Sequence, residues 1–151
     1  MWDIGGQREI RPYWRNYYEQ TDALIYVVDS ADENRVMEVK ENLTELLGEE
    51  LLSGVPLLVF ANKQDLDLAL DAPEIMNTLE LNNITDRTWN IQACSAVSQE
   101  GLNEGMEWLI NTINAKTQAA AGGGAGGAQW IDMYETRSDR CTAFTTYRLA
   151  S

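Results

Sequence analysis

Histidine is absent from the sequence. Without it the chain can build neither a His-containing zinc cluster nor a Ser–His or Cys–His nucleophile pair. Any hydrolysis must then rely on positioned water and electrostatics. Only two cysteines occur, Cys94 and Cys141, too few for a disulfide framework, so a reducing, cytoplasmic setting is the expected compartment. No apolar run approaches the length of a membrane-crossing helix, and no secretory signal pattern opens the sequence. Cations are also scarce. Eleven Lys and Arg stand against 24 Asp and Glu, a formal net charge of −13. That balance argues against nucleic acid as a partner and does not support membrane association through a polybasic anchor.

What remains is ordinary globular material: 44% hydrophobic residues in 151, enough for one domain with a sizeable core. Three apolar runs read as strands: 23–29 (ALIYVVD), 57–61 inside VPLLVFANKQD, and 89–94 (WNIQAC). The central run is apolar at every position, as a parallel sheet covered on both faces demands. Residues 1–4 look like the end of a further strand. Between the runs lie helical stripes. Val36, Val39, Leu43, Leu46 and Leu47 form one, closed by Gly48; Leu102, Met106, Leu109, Ile110 and Ile113 form another. Ile75, Met76 and Leu79 mark a short helix between them. Ser30 with Glu33, Asp71 with Glu74 (Pro73 between), and Ser98 are the expected helix starts. Strand–helix alternation predicts an α/β domain with a parallel sheet and right-handed crossovers. After Lys116 the composition changes: residues 117–128 contain an Ala/Gly-rich linker, and 129–151 form a tail. Within that tail 141–147 has strand propensity, but so short a segment cannot bury a core alone, and disorder or loose docking is expected.

Three strand ends carry polar or glycine-rich motifs and should open on one edge of the sheet, where ligands bind in such folds. The tetrad Asn62-Lys63-Gln64-Asp65 suits guanine. A fixed Asp65 carboxylate can accept both the ring N–H and the exocyclic amino N–H, a pair that adenine lacks. Asn62 can tie neighbouring loops together, and the Lys63 stem can lie along the base. In the run 3–7 (DIGGQ), a D-x-x-G turn can aim the Gly6 N–H at a terminal phosphate. There Asp3 can hold a water on a magnesium ion, and Gln7 can orient an attacking water. Cys94-Ser95-Ala96 offers the Ala96 N–H to a base carbonyl. Each motif alone is weak, and a solvated turn explains the tetrad about as well.

Taken in order, D-x-x-G-Q, N-K-x-D and C-S-A resemble the last three guanine-nucleotide motifs of small GTPases. WDIGGQREIRPYWRNYY, LIYVVDSAD, VFANKQD and the run from RTWNIQACSA to GMEWLINTINAK extend the resemblance to the Arf-like branch of the ADP-ribosylation factor family, over residues 1–116. The resemblance implies a P-loop NTPase-type small G domain, mostly parallel sheet with flanking helices. It implies a GTP/GDP switch with Mg2+, serving vesicle or ciliary cargo traffic. Asn62, Lys63, Gln64 and Asp65 would read guanine, with Cys94, Ser95 and Ala96 supporting the base. Gly6 would sense the γ-phosphate and Gln7 would be catalytic; no residue ligates metal directly, Asp3 acting through water. Residues 7–18 would form the second switch, with Trp2, Ile10, Pro12, Tyr13 and Tyr17 on a surface for effector and regulator proteins. Association with cilium, Golgi or microtubules is likewise implied only by resemblance.

The family's P-loop, G-x-x-x-x-G-K-[ST], occurs nowhere in the sequence. Residues 1–116 therefore correspond to the C-terminal two-thirds of an Arf-like G domain, N-terminally truncated. The phosphate half of the site is expected to be mostly missing and GTP hydrolysis by this chain alone negligible. In the family, a strand preceding this region lies between the strands ending near Asp3 and Asp29. Without it, unpaired backbone would sit in mid-sheet. The 141–147 segment can fill that gap, although nothing in the sequence requires it. Two other readings stay open: a non-enzymatic binding module presenting the second-switch surface, and a fragment without function.

Overall fold

A computed structural model describes residues 2–5, 13–19, 21–121 and 142–147; for the first and last of these segments, and for residues 120–121, only the backbone path is described. Five strands, β1 (Trp2–Gly5), β2 (Ala23–Asp29), β3 (Leu57–Asn62), β4 (Trp89–Ala93) and β5 (Thr142–Tyr147), form one sheet in the order β1-β5-β2-β3-β4. β2, β3 and β4 are parallel neighbours, with Asp29 opposite Asn62 and Ala61 opposite Ala93. β5 runs antiparallel to both β1 and β2, so β1 points the same way as β2. The carboxyl ends of β1 to β4 thus share one edge, as the motifs require.

The helices of the described residues are α1 (Arg15–Tyr18), α2 (Val36–Leu47), α3 (Ala72–Thr78) and α4 (Leu102–Ala121). Alternation along the buried strands divides the core into two layers. Leu24, Tyr26, Val28, Leu57, Val59 and Ala61 face the side packed by Val36, Val39, Leu43 and Leu46 of α2 and by Ile75 of α3. Ala23, Ile25, Leu58 and Phe60 face the other side, against Met106, Leu109 and Ile113 of α4. β3 is buried throughout except at its final residue, Asn62, so the apolar run is covered on both faces as predicted and its polar end lies at the sheet edge. Trp108, absent from the predicted stripe, also packs on the α4 layer.

The helix starts divide. Asp71 caps α3 with a full capping box, its carboxylate accepting the Glu74 N–H at 2.8 Å and the Glu74 carboxylate accepting the Asp71 N–H at 2.9 Å. The Ser30–Glu33 cap does not form. Ser30 is drawn to the sheet edge, its N–H donating to the Asn62 carbonyl and its carbonyl accepting from Leu70, and its buried hydroxyl has no partner among the described residues. A 3-10 turn at Glu33–Arg35 leads into α2 instead. Nor does Ser98 cap α4, which begins after Gly101, at φ +75°; the Ser98 hydroxyl donates to the Glu100 carboxylate at 3.3 Å.

Two expectations for the C-terminal part need correction. α4 continues to Ala121, because Gln118 and the alanines after it are strong helix formers, so the first residues of the presumed linker are helical. The tail is not merely loose: Thr142–Tyr147 is a strand inside the sheet. Gly6, Gln7, Ile10, Pro12 and Cys141 lie outside the described residues.

Candidate nucleotide-base site

Asn62 and the loop after β4 are locked together. The Asn62 side-chain carbonyl accepts the Lys63 N–H at 2.8 Å and the Ala96 N–H at 3.0 Å, and the Cys94 thiol donates to it at 3.8 Å. One side chain thereby fixes the turn after β3 and the turn after β4, the loop-tying role read from the sequence. In this ligand-free arrangement the Ala96 amide is directed at Asn62 rather than outward to a base carbonyl.

Ser95 fixes Asp65. The Ser95 hydroxyl accepts the Val97 and Ser98 N–H groups at 3.3 and 3.2 Å, which directs its single proton to Asp65 Oδ1 at 2.5 Å. Ser95 is buried, at 2% exposure, whereas Asp65 is exposed. A rigid donor therefore holds one carboxylate oxygen while the residue faces solvent. Gln64 braces the same loop from behind. Its N–H donates to the Cys94 carbonyl at 3.1 Å and its side-chain amide donates to the Leu70 carbonyl at 2.9 Å. Burial pushes the Cys94 thiol up to about 12, so Cys94 acts as a neutral packing residue and weak donor.

Lys63 sits at φ +70°, in the left-handed region, and its ammonium pairs with Asp29 Oδ2 at 2.7 Å. Asp29 Oδ1 also accepts the Ala31 N–H at 3.0 Å. Asp29 is a site residue that sequence reasoning missed. The available signal was a strand ending on a carboxylate, just as β3 ends on Asn62. The pair ties the turn after β3 to the end of β2.

Of the second-switch and effector residues, Tyr13 is 62% exposed, Tyr17 is half-buried in α1, and Trp2 is placed only by its backbone in β1. Asp3 likewise is placed in β1 by its backbone alone, with Gly6 and Gln7 following its carboxyl end outside the described residues. Among the described residues no cluster of His, Cys, Asp or Glu forms a metal site.

The sequence profile of the ADP-ribosylation factor family matches residues 1–113, three-quarters of the chain and every element of this edge. The chain belongs to that family. ADP-ribosylation factor-like protein 3 of Chlamydomonas reinhardtii is 65% identical over 113 residues, which are 75% of this chain and 64% of the relative. The protein of the same name from Caenorhabditis elegans is 55% identical over 113 residues, 75% and 61% of the two chains. ADP-ribosylation factor J of Dictyostelium discoideum is 49% identical over 116 residues, 77% and 62%. The chain thus spans somewhat less than two-thirds of the length of these curated relatives. The Arf family comprises small GTPases, proteins that bind GTP and GDP with Mg2+ and work through regulators and effectors.

Proposed function

We propose that this chain carries the guanine-reading half of an Arf-like GTP/GDP switch. The observation that carries this reading is the Ser95–Asp65 bond. A hydroxyl whose acceptor sites are filled by two amides can only donate to Asp65. The second carboxylate oxygen is thereby left for the paired N–H groups of guanine. Asn62 keeps the two loops in register, and the Lys63 stem flanks the base. By family resemblance, Gln7 would position the attacking water, Gly6 would sense the γ-phosphate and Asp3 would hold a water on Mg2+ where the phosphate half of the site is supplied. Hydrolysis by this chain alone is negligible, since a phosphate-cradling lysine loop is not among its residues. Vesicle or ciliary cargo traffic is the biological setting proposed.

Titrating the purified chain with fluorescent guanine and adenine nucleotides tests the base assignment. Guanine is expected to win by at least about 100-fold, since adenine leaves the Asp65 carboxylate without its pair of N–H donors. Equal binding of both bases would refute it. A single-turnover assay showing family-like GTP hydrolysis would refute the negligible-activity part. A second reading, a non-enzymatic module presenting the second-switch surface, is favoured by the exposure of Tyr13. Nucleotide-independent capture of purified Arf-family effectors, lost in Tyr13→Ala, supports that reading; unchanged capture by the variant removes it.

A further inference from the structure

We propose that Thr142–Tyr147 is a self-donated strand, and that the slot between β1 and β2 is a strand-receiving site that this segment occupies in cis. Six backbone pairs join β5 to β2, from Ala23 opposite Tyr147 to Val28 opposite Thr142. Four more join it to β1, from Trp2 opposite Thr146 to Gly5 opposite Ala143. Among the described residues, β5 alone connects β1 to the rest of the sheet. Were it withdrawn, the facing edges of β1 and β2 would lose their hydrogen-bond partners in the middle of the molecule, where Leu24, Ile25 and Tyr26 are at most 1% exposed.

The segment is suited to the place. TAFTTY contains no charge, glycine or proline, and five of its six residues are β-branched or aromatic. In the sequence the uncharged stretch, Cys141 included, is bracketed by Arg140 and Arg148.

The tether fits as well. α4 begins near the carboxyl edge and ends at Ala121, while β5 enters the sheet at that same edge, where Thr142 opposes Val28. The connection must therefore cover the length of α4 in reverse, about 30 Å for a helix of this size. Residues 122–141 are Gly-rich in their first half. Twenty residues reach about 66 Å fully extended, well over that distance, so the connection can be made within one chain. A strand from elsewhere can enter the slot only by displacing it. The antiparallel direction also separates this arrangement from a strand that would enter parallel to β1 and β2.

This inference is independent of nucleotide, and its test reads none. Hydrogen exchange on the full chain, read by peptide mass spectrometry, is expected to show the 142–147 amides exchanging at least about 100-fold slower than an unprotected chain. Their protection should be lost in the same denaturant step as that of β2. Unprotected 142–147 amides beside a protected β2 and β3 would overturn the proposal. Protection that disappears on dilution by about two orders of magnitude would also overturn it, since the strand would then come from a second copy. Thr145→Pro removes a backbone donor from a strand paired on both sides. It is expected to expose residues 2–5 and 23–28 to exchange and lower the urea midpoint, whereas Ala125→Pro, in the tether, leaves both unchanged. A Thr145→Pro chain with wild-type protection and midpoint would count against the inference.

Discussion

Replacing Asp65 by Asn exchanges one acceptor for one donor, and the local hydrogen bonds dictate which way the new amide faces. The Ser95 hydroxyl receives two backbone N–H groups and must donate its proton forward. It therefore selects the carbonyl oxygen of the substituted side chain and turns the amide nitrogen toward the ligand. Guanine then meets an N–H where it presents its own amino group. Two charge-assisted bonds, each about 1.5–3 kcal/mol, are lost. Guanine nucleotide affinity should fall by about 3–6 kcal/mol, on the order of 100-fold to 10,000-fold. Xanthine carries a 2-oxo group in place of the amine and matches the new donor. Asp65→Asn should therefore bind xanthine nucleotides more tightly than guanine ones, reversing the wild-type order. Paired fluorescence titrations of both chains with both bases measure the reversal. If Asp65→Asn lost guanine without gaining xanthine, Ser95 would not be orienting the side chain at this position. If it retained guanine affinity, Asp65 would not read the base at all.

Other substitutions probe the supports of that edge. A Cβ on Gly101 would collide with the Ala93 carbonyl oxygen, on a backbone at φ +75°. Gly101→Ala should accordingly cost about 3 kcal/mol or more in urea unfolding. It should also weaken base binding through the adjoining bond from the Ser95 N–H to the Glu100 carbonyl. Gly105→Ala places a methyl 2.5 Å from the buried Phe60 ring. It should cost about 1–3 kcal/mol with base affinity unchanged. At the opposite end, the buried Arg87 guanidinium donates to the Leu47 and Leu52 carbonyls at 2.9 and 3.0 Å and to Asp86 at 2.6 Å. Arg87→Met should destabilise by about 3–5 kcal/mol, seen as a lower thermal midpoint, because the orphaned carbonyls stay buried. Cys94 and Tyr18 are each pushed up to about 12, chiefly by burial, from ordinary values of 9.0 and 10.0. The folded chain thus keeps protons that the unfolded chain releases. Stability should be undiminished by these groups below about pH 9 and fall as pH rises toward 12, as urea midpoints across that range will record. A midpoint that rises over the range would refute the assignment.

The parts of the fold legible in the sequence were those whose signal is local or fully buried. The uninterrupted run in β3 required cover on both faces, and the structure supplies α2 and α3 on one side and α4 on the other. Asp71 and Glu74 formed their predicted box because nothing else competes for them on an exposed turn. Ser30 offered an equally good local pattern and failed, since its backbone is recruited by Asn62 and Leu70; tertiary bonding outweighed the cap. Strand propensity was visible in residues 141–147, but propensity carries no address, and the slot beside β2 is defined by residues more than a hundred positions away. The polar motifs at the strand ends were legible as residue types. Their connections, Asn62 to Ala96, Ser95 to Asp65 and Lys63 to Asp29, bridge separate strands and arise only from the parallel register.

β4 has β3 on one side and, among the described residues, no other strand beside it, yet Ser95 and Ala96 follow directly from its end. Half of the proposed base-reading edge therefore rides on the strand that is outermost among the described residues. Were β4 to peel away, Ser95 would leave Asp65 and Ala96 would leave Asn62 in one event, so the edge is kept whole or lost whole. Affinity for a base is then reduced by whatever fraction of time that strand is open. Substitutions at Trp89, at the far end of β4 opposite Leu57, would register as weaker recognition without touching any group that meets the ligand.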